Sequence, residues 1–116
     1  LIAPLSNGSL TLLANMAKRA GIPWDFVFSS DMHKAYKRDP KVYQNAIALL
    51  GMEPHEVMMG AAHNDDLEAA REQGMRTGYI NRPTEYGVDQ TKDFEAETDW
   101  DIIADSAEGL AEALGC

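Results

Sequence analysis

The sequence predicts an α/β fold built on a parallel sheet with helices on both faces. Three observations predict it. Short apolar runs alternate with amphipathic stretches along residues 1–80. Each apolar run closes in a polar turn. The amphipathic stretches carry start and stop residues at their ends, and this alternation is the pattern of strand–helix–strand units.

Leu1–Leu5 is an apolar run closed by Ser6-Asn7-Gly8, read as a buried strand and a turn. Ser9 caps a helix running to about Ala20, in which Leu10, Leu13, Met16 and Ala17 are spaced for one buried face. Gly21 suits a left-handed C-cap, and Pro23 follows. Phe26-Val27-Phe28 is the next strand, ending in Ser29-Ser30-Asp31. Asp39-Pro40 supplies an N-cap and a first-turn proline for a helix through Val42, Tyr43, Ala46, Ile47 and Leu50 to Gly51. Val57–Ala61 is a third strand, followed by a polar turn from Ala62 to Asp66. A helix from Leu67 to Gln73 ends at Gly74. Arg76–Ile80 is a fourth strand, closed by Asn81-Arg82-Pro83. Residues 84–99 are polar and weakly patterned, read as a long acidic surface loop. Ile102-Ile103 is a short last strand, and Ser106–Leu114 a terminal amphipathic helix.

The 116 residues fit a single domain over 1–116. With 45% hydrophobic and 25% charged residues, a wholly disordered chain is excluded. The net charge of −9 argues against nucleic acid or an anionic membrane as partner, since both repel a polyanion. That charge lies in the segment from Glu85 onward, which holds ten acids against Lys92 alone. The rest of the chain is neutral, which suits a small anionic substrate. The lone cysteine, Cys116, allows no intramolecular disulfide, and no signal peptide or membrane span is evident. A cytoplasmic setting is expected.

In parallel sheets the working residues collect at the carboxyl ends of the strands. That rule points to Ser6-Asn7, Ser29–Asp31 and Ala61–Asp66. Ser6-Asn7-Gly8 offers a hydroxyl, an amide and free N–H groups suited to an anion, although a capping turn is the stronger account of these residues alone. Lys37 could meet an anionic substrate or a carboxylate nucleophile, or lie solvated in its basic stretch. Tyr43 could offer its hydroxyl to the same site or pack against the sheet. In Ala61-Ala62-His63-Asn64-Asp65-Asp66, polar residues crowd a strand end where a turn would need one or two. Two adjacent carboxylates could bind Mg²⁺ and His63 could do acid–base work, or Asp65 or Asp66 could simply cap the next helix. Neither zinc-ligand spacing nor a phosphate-binding loop is present.

The order of these motifs resembles the haloacid dehalogenase superfamily. The resemblance is carried by Ser6-Asn7-Gly8, by Tyr36-Lys37-Arg38-Asp39-Pro40 with Tyr43, by Val57-Met58-Met59, by Asp66-Leu67-Glu68-Ala69-Ala70 and by Gly74-Met75-Arg76-Thr77. It covers Leu1 to about Pro83, continues through Glu85-Tyr86-Gly87, and is nearer the 2-haloacid dehalogenase branch than the phosphatases. It implies a three-layer sandwich on a parallel, Rossmann-like sheet. Ser6 and Asn7 match residues that contact the substrate carboxylate and, through the amide, the departing halide. Lys37 matches the lysine that stabilises a nucleophilic aspartate and its ester. Tyr43 falls on a functional tyrosine of that branch. Asp66 matches an acid that helps orient Lys37 and the hydrolytic water. His63 and Asn64 stand where that branch lines its site with other polar types.

Two departures sharpen the expectation. Phosphatases of the superfamily place a Mg²⁺-binding aspartate four residues before the position of Asp66, and here that position is Ala62. A methyl group cannot ligate Mg²⁺, so chemistry without a metal or other cofactor is expected, with a Mg²⁺-dependent phosphatase as the alternative. The first motif, with its nucleophilic aspartate, and the cap segment are not found. The chain is therefore expected to be the C-terminal part of a longer enzyme, lacking the central strand and inactive alone. Its strands 1–5 and 57–61 would then pair directly or meet the missing N-terminal segment or a second copy in a homodimer. A catalytically dead, partner-binding module is the reading outside the enzymes.

Overall fold

The computed structural model describes residues 1–116, which form two compact units, Leu1–Gly51 and Met52–Cys116. The first unit contains β1 (Leu5–Ser6), α1 (Leu10–Ala20), β2 (Phe28–Ser29), α2 (Ser30–His33) and α3 (Pro40–Leu50). β1 and β2 run parallel, with Leu5 opposite Phe28 and Ser6 opposite Ser29. The expected buried strand 1–5 is thus two residues long, and Leu1 and Ile2 are exposed. Main-chain bonds continue upstream, from Phe28 N–H to the Pro4 carbonyl and from Asp25 N–H to the Ile2 carbonyl. Pro4 has no N–H of its own with which to extend a ladder.

The helix caps form as local chemistry dictates. Ser9 accepts from the Leu12 N–H and Asp39 from the Lys41 N–H, while Gly21 and Gly51 take positive φ. The N-terminus of α1 gains a second acceptor, because Asp31 Oδ2 takes the Leu10 N–H at 2.8 Å. No residue of α1 is fully buried: of the face expected from Leu10, Leu13, Met16 and Ala17, Leu13 and Ala17 are half-buried while Leu10 and Met16 are exposed. Within the unit it lies against the short β2 and α2. The core instead gathers Phe28 with Val42, Tyr43, Ala46 and Ile47 of α3. α2 was not anticipated; it brings His33 into that core.

The second unit contains a 3-10 turn (Pro54–Glu56), β3 (Met58–Ala61), α4 (Asn64–Glu72), β4 (Arg76–Ile80), β5 (Ile102–Ala104) and α5 (Ala107–Ala113). Its sheet has the order β3-β4-β5, parallel throughout, with Met59 opposite Thr77 and Gly60 opposite Gly78. Side chains alternate across a sheet, so Gly60 and Gly78 share one face and Met59, Thr77 and Tyr79 the other. Leu110 of α5 lies on the glycine face: a Cβ at Gly78 would stand 2.9 Å from its Cδ1. On the opposite face Arg71 of α4 reaches Thr77. The unit is therefore helix, sheet, helix. Leu67 and Ala70 of α4 are wholly buried, and a leucine so buried contributes roughly 1.5–3 kcal/mol.

α4 begins at Asn64, three residues ahead of the expected start. Neither Asp65 nor Asp66 caps it. His63 holds the cap position without a side-chain cap bond, and the acceptor comes from the acidic segment instead. Asp93 Oδ1 takes the Asn64 N–H at 2.9 Å. Residues 81–101 hold no helix or strand, but they are not simply a surface loop: Gln90, Asp93 and Trp100 are buried.

Candidate active site

In the first unit the candidate residues gather at the carboxyl ends of β1 and β2. The turn after β1 folds on itself, since Ser6 Oγ accepts from the Gly8 N–H at 3.1 Å. Ser30, just beyond β2, donates its hydroxyl to the Asn7 carbonyl at 2.9 Å. The Asn7 side chain reaches further: Oδ1 accepts the Lys37 N–H at 2.6 Å, and Nδ2 donates to the Lys37 carbonyl at 3.5 Å. One amide therefore brackets the backbone of Lys37 in the turn before α3, where Asp39 N–H also bonds the Tyr36 carbonyl. Ser6, Asn7 and Lys37 are brought together. Tyr43, one turn into α3, is wholly buried in the unit's core.

Ser29, one of the strand-end residues the sequence pointed to, and His33, which it did not, lie beside this turn region. Ser29 is fully buried with its hydroxyl unpartnered, and both ring nitrogens of His33 lack partners. Burial pushes the His33 pKa below its ordinary 6.5.

In the second unit the carboxyl end of β3 leads directly into His63 and α4. His63 Nε2 lies 2.8 Å from Glu85 Oε2 and 2.9 Å from the Tyr86 hydroxyl. The His63 and Tyr86 rings are stacked, 5.9 Å apart at 15°. Glu85 also faces Arg82, whose Nη1 is 3.4 Å from its other oxygen. Asp65 pairs with Lys92 at 3.5 Å. Asp66, in the first turn of α4, is buried, where its charge complements the helix dipole.

Asn64 is the hinge pin of the acidic segment. Its Nδ2 donates to Asp93 Oδ1 and to the Glu95 carbonyl, and its Oδ1 accepts from the Glu97 N–H and from Trp100 Nε1. An amide has two donors and two acceptor sites, so this one is fully engaged and has none left for a ligand. Asn64, expected from sequence to line a substrate site, holds the loop through these four bonds. Burial pushes Asp93 upward, but the two hydrogen bonds from Asn64, with the charges of Lys92 and His63, outweigh it and hold its carboxyl below 3.8. Nearby, Arg71 stacks over the Trp100 ring at 4.3 Å. Asp101 accepts from both the N–H and the hydroxyl of Thr77, which holds it below its ordinary value.

A cavity of about 460 Å³ opens at the carboxyl ends of β3 and β4, lined by Ala61, Ala62, Ile80, Arg82 and Ser106 among others. None of His63, Asn64 and Asp66 lines it. Glu85 and Tyr86, the partners of His63, were not among the residues expected at the site; a strand-end rule does not reach residues brought back by a loop.

No protein-family model matches the chain. Among curated proteins it is 37% identical over 91 residues to the (S)-2-haloacid dehalogenase 4A of Burkholderia cepacia, an alignment covering 74% of this chain and 39% of the relative. Among solved structures it matches an L-2-haloacid dehalogenase at 48% identity and a TM-score of 0.95, over 97% of this chain and 48% of that one. A defluorinating L-2-haloacid dehalogenase matches at 48% identity and a TM-score of 0.96, over all of this chain and 47% of that one. The chain thus spans about half the length of these solved relatives, and less of the curated one. No helix is long and apolar enough to cross a membrane.

Proposed function

Because this chain belongs to the haloacid dehalogenase superfamily, with the α/β architecture of its 2-haloacid dehalogenases, we propose that it serves hydrolysis of the carbon–halogen bond in a small 2-halo carboxylic acid. The observation that carries this reading is the grip of Asn7 on Lys37. It ties the strand-end amide to the backbone that presents an ammonium, where a carboxylate nucleophile needs charge stabilisation.

In the proposed reaction an aspartate carboxylate displaces halide from C2 and forms an aspartyl ester. Water then cleaves the ester at its carbonyl, releasing the 2-hydroxy acid and regenerating the carboxylate. The single displacement at C2 inverts that carbon. The nucleophile is proposed to come from outside these 116 residues, so that the chain alone is inactive. Ser6 and Asn7 receive the substrate carboxylate and the halide. Lys37 stabilises the nucleophile and its ester, Tyr43 supports the substrate site, and Asp66 serves the hydrolytic water. No metal or cofactor takes part, consistent with Ala62 where a Mg²⁺ ligand would be needed. The relatives' names specify L-2-haloacids, so the L configuration is the proposed substrate. A cytoplasmic setting completes the reading.

The test joins the chain to the N-terminal half of a 48%-identical relative, where the resemblance to the superfamily places the nucleophilic aspartate, and assays chloride release from 2-chloropropionate without Mg²⁺. Chloride release supports the proposal. Phosphate release from small esters that requires Mg²⁺, with no chloride, would reassign the chain to the phosphatases.

A further inference from the structure

We propose that Glu85 and Tyr86 are positioning residues that fix which nitrogen of His63 carries the proton. Glu85 Oε2 and the Tyr86 hydroxyl converge on the same ring nitrogen, Nε2, at 2.8 and 2.9 Å. The other oxygen of Glu85 faces the Arg82 guanidinium at 3.4 Å. A carboxylate beside a guanidinium accepts hydrogen bonds and donates none. The proton of the neutral imidazole therefore sits on Nε2, directed at Glu85. The Tyr86 oxygen accepts a share of the same N–H, and its stacked ring limits rotation of the imidazole. The arrangement is that of a carboxylate setting the tautomer of a histidine whose opposite nitrogen does the work.

The consequence lies at Nδ1. It makes no hydrogen bond, and the side chain is 33% exposed. With Nε2 protonated, Nδ1 presents a lone pair, so His63 accepts a hydrogen bond from a ligand O–H or N–H. It cannot donate to an acceptor such as a halide or a carboxylate. In the dehalogenase reading, on which this use rests, the matching donor is the hydrolytic water rather than the substrate anion. The tautomer itself follows from the geometry whatever the reaction.

The test is a long-range proton–nitrogen correlation of the histidine rings in uniformly ¹⁵N-labelled protein, at a pH where imidazoles are neutral. Loss of one set of signals in His63→Asn assigns the ring, with His33 and His55 as references. The wild type is expected to show Nε2–H as the single tautomer of His63, and Tyr86→Phe to retain it. Glu85→Ala is expected to convert it to a mixture in which Nδ1–H is visible. An Nδ1–H ring in the wild type overturns the proposal without recourse to any variant, and so does an unchanged ring in Glu85→Ala. Halide release enters neither readout, so loss of the dehalogenase reading would leave this result standing, and the converse.

Discussion

Asn7 holds Lys37 by its backbone rather than by its charge: Oδ1 accepts the Lys37 N–H at 2.6 Å and Nδ2 donates to the Lys37 carbonyl at 3.5 Å. The lysine side chain is thereby left to other partners while its main chain is tied to the end of β1. Asn7→Ala removes both bonds. The expected cost is about 1 kcal/mol, read as a lower urea midpoint, together with faster hydrogen exchange at the Lys37 amide. Asn7→Asp keeps the acceptor and should retain most of the protection. Equal exchange in all three proteins would contradict the link.

Asp93 is the cap of α4, 29 positions from the N–H it accepts. Asp93→Ala strips that acceptor, frees the Asn64 amide and leaves at a φ of 57° a residue without the short polar side chain that lets Asp and Asn tolerate the left-handed region. A loss of about 2 kcal/mol is expected. Asp93→Asn keeps an oxygen and tolerates the left-handed backbone, so its loss should be smaller. Denaturant melts of the two variants check the ranking.

Trp100 contributes to the same clamp through one N–H and one ring face. Trp100→Phe preserves a face for Arg71 but leaves the Asn64 oxygen with one donor fewer. A loss of about 1 kcal/mol is expected. Trp100→Ala should cost about 3 kcal/mol or more because it also opens a cavity. If the two variants melted alike, the ring's packing would carry none of the stability.

Stability should fall in two steps as pH is lowered. The folded-state pKa of His33 lies below 6.5, so below that pH the unfolded chain binds a proton that the folded one refuses. Stability therefore declines as pH drops through 6.5 and levels off below the folded pKa. Asp93 and Asp101 are held below 3.8, so a second decline begins as pH falls through that value. Urea midpoints measured across pH should show both steps, and His33→Phe should remove the first alone.

Local chemistry made much of the fold legible. Ser9, Asp39-Pro40, Gly21 and Gly51 act on residues within a turn of themselves, and the ends of α1 and α3 fall where they predict. The start of α4 was hidden because its cap acceptor belongs to Asp93, far along the chain. The same loop hid the partners of His63, since an acidic stretch reads as solvated until its buried Gln90, Asp93 and Trp100 are seen. Periodicity placed an apolar face on α1, but a periodic pattern carries no information about whether a covering surface is present. Asn64 was expected in the site because it stands where the resembled branch has polar lining residues, and the sequence does not reveal that its amide makes four bonds to the loop.

The most direct measurement is chloride release from L-2-chloropropionate, in EDTA, by the chain joined to an aspartate-bearing N-terminal half, compared with its Lys37→Ala variant. Chloride and an inverted 2-hydroxy acid are expected from the parent, and a rate lower by roughly 10²–10³-fold from the variant. Absence of chloride release from the folded parent, or release at an undiminished rate in Lys37→Ala, would contradict it.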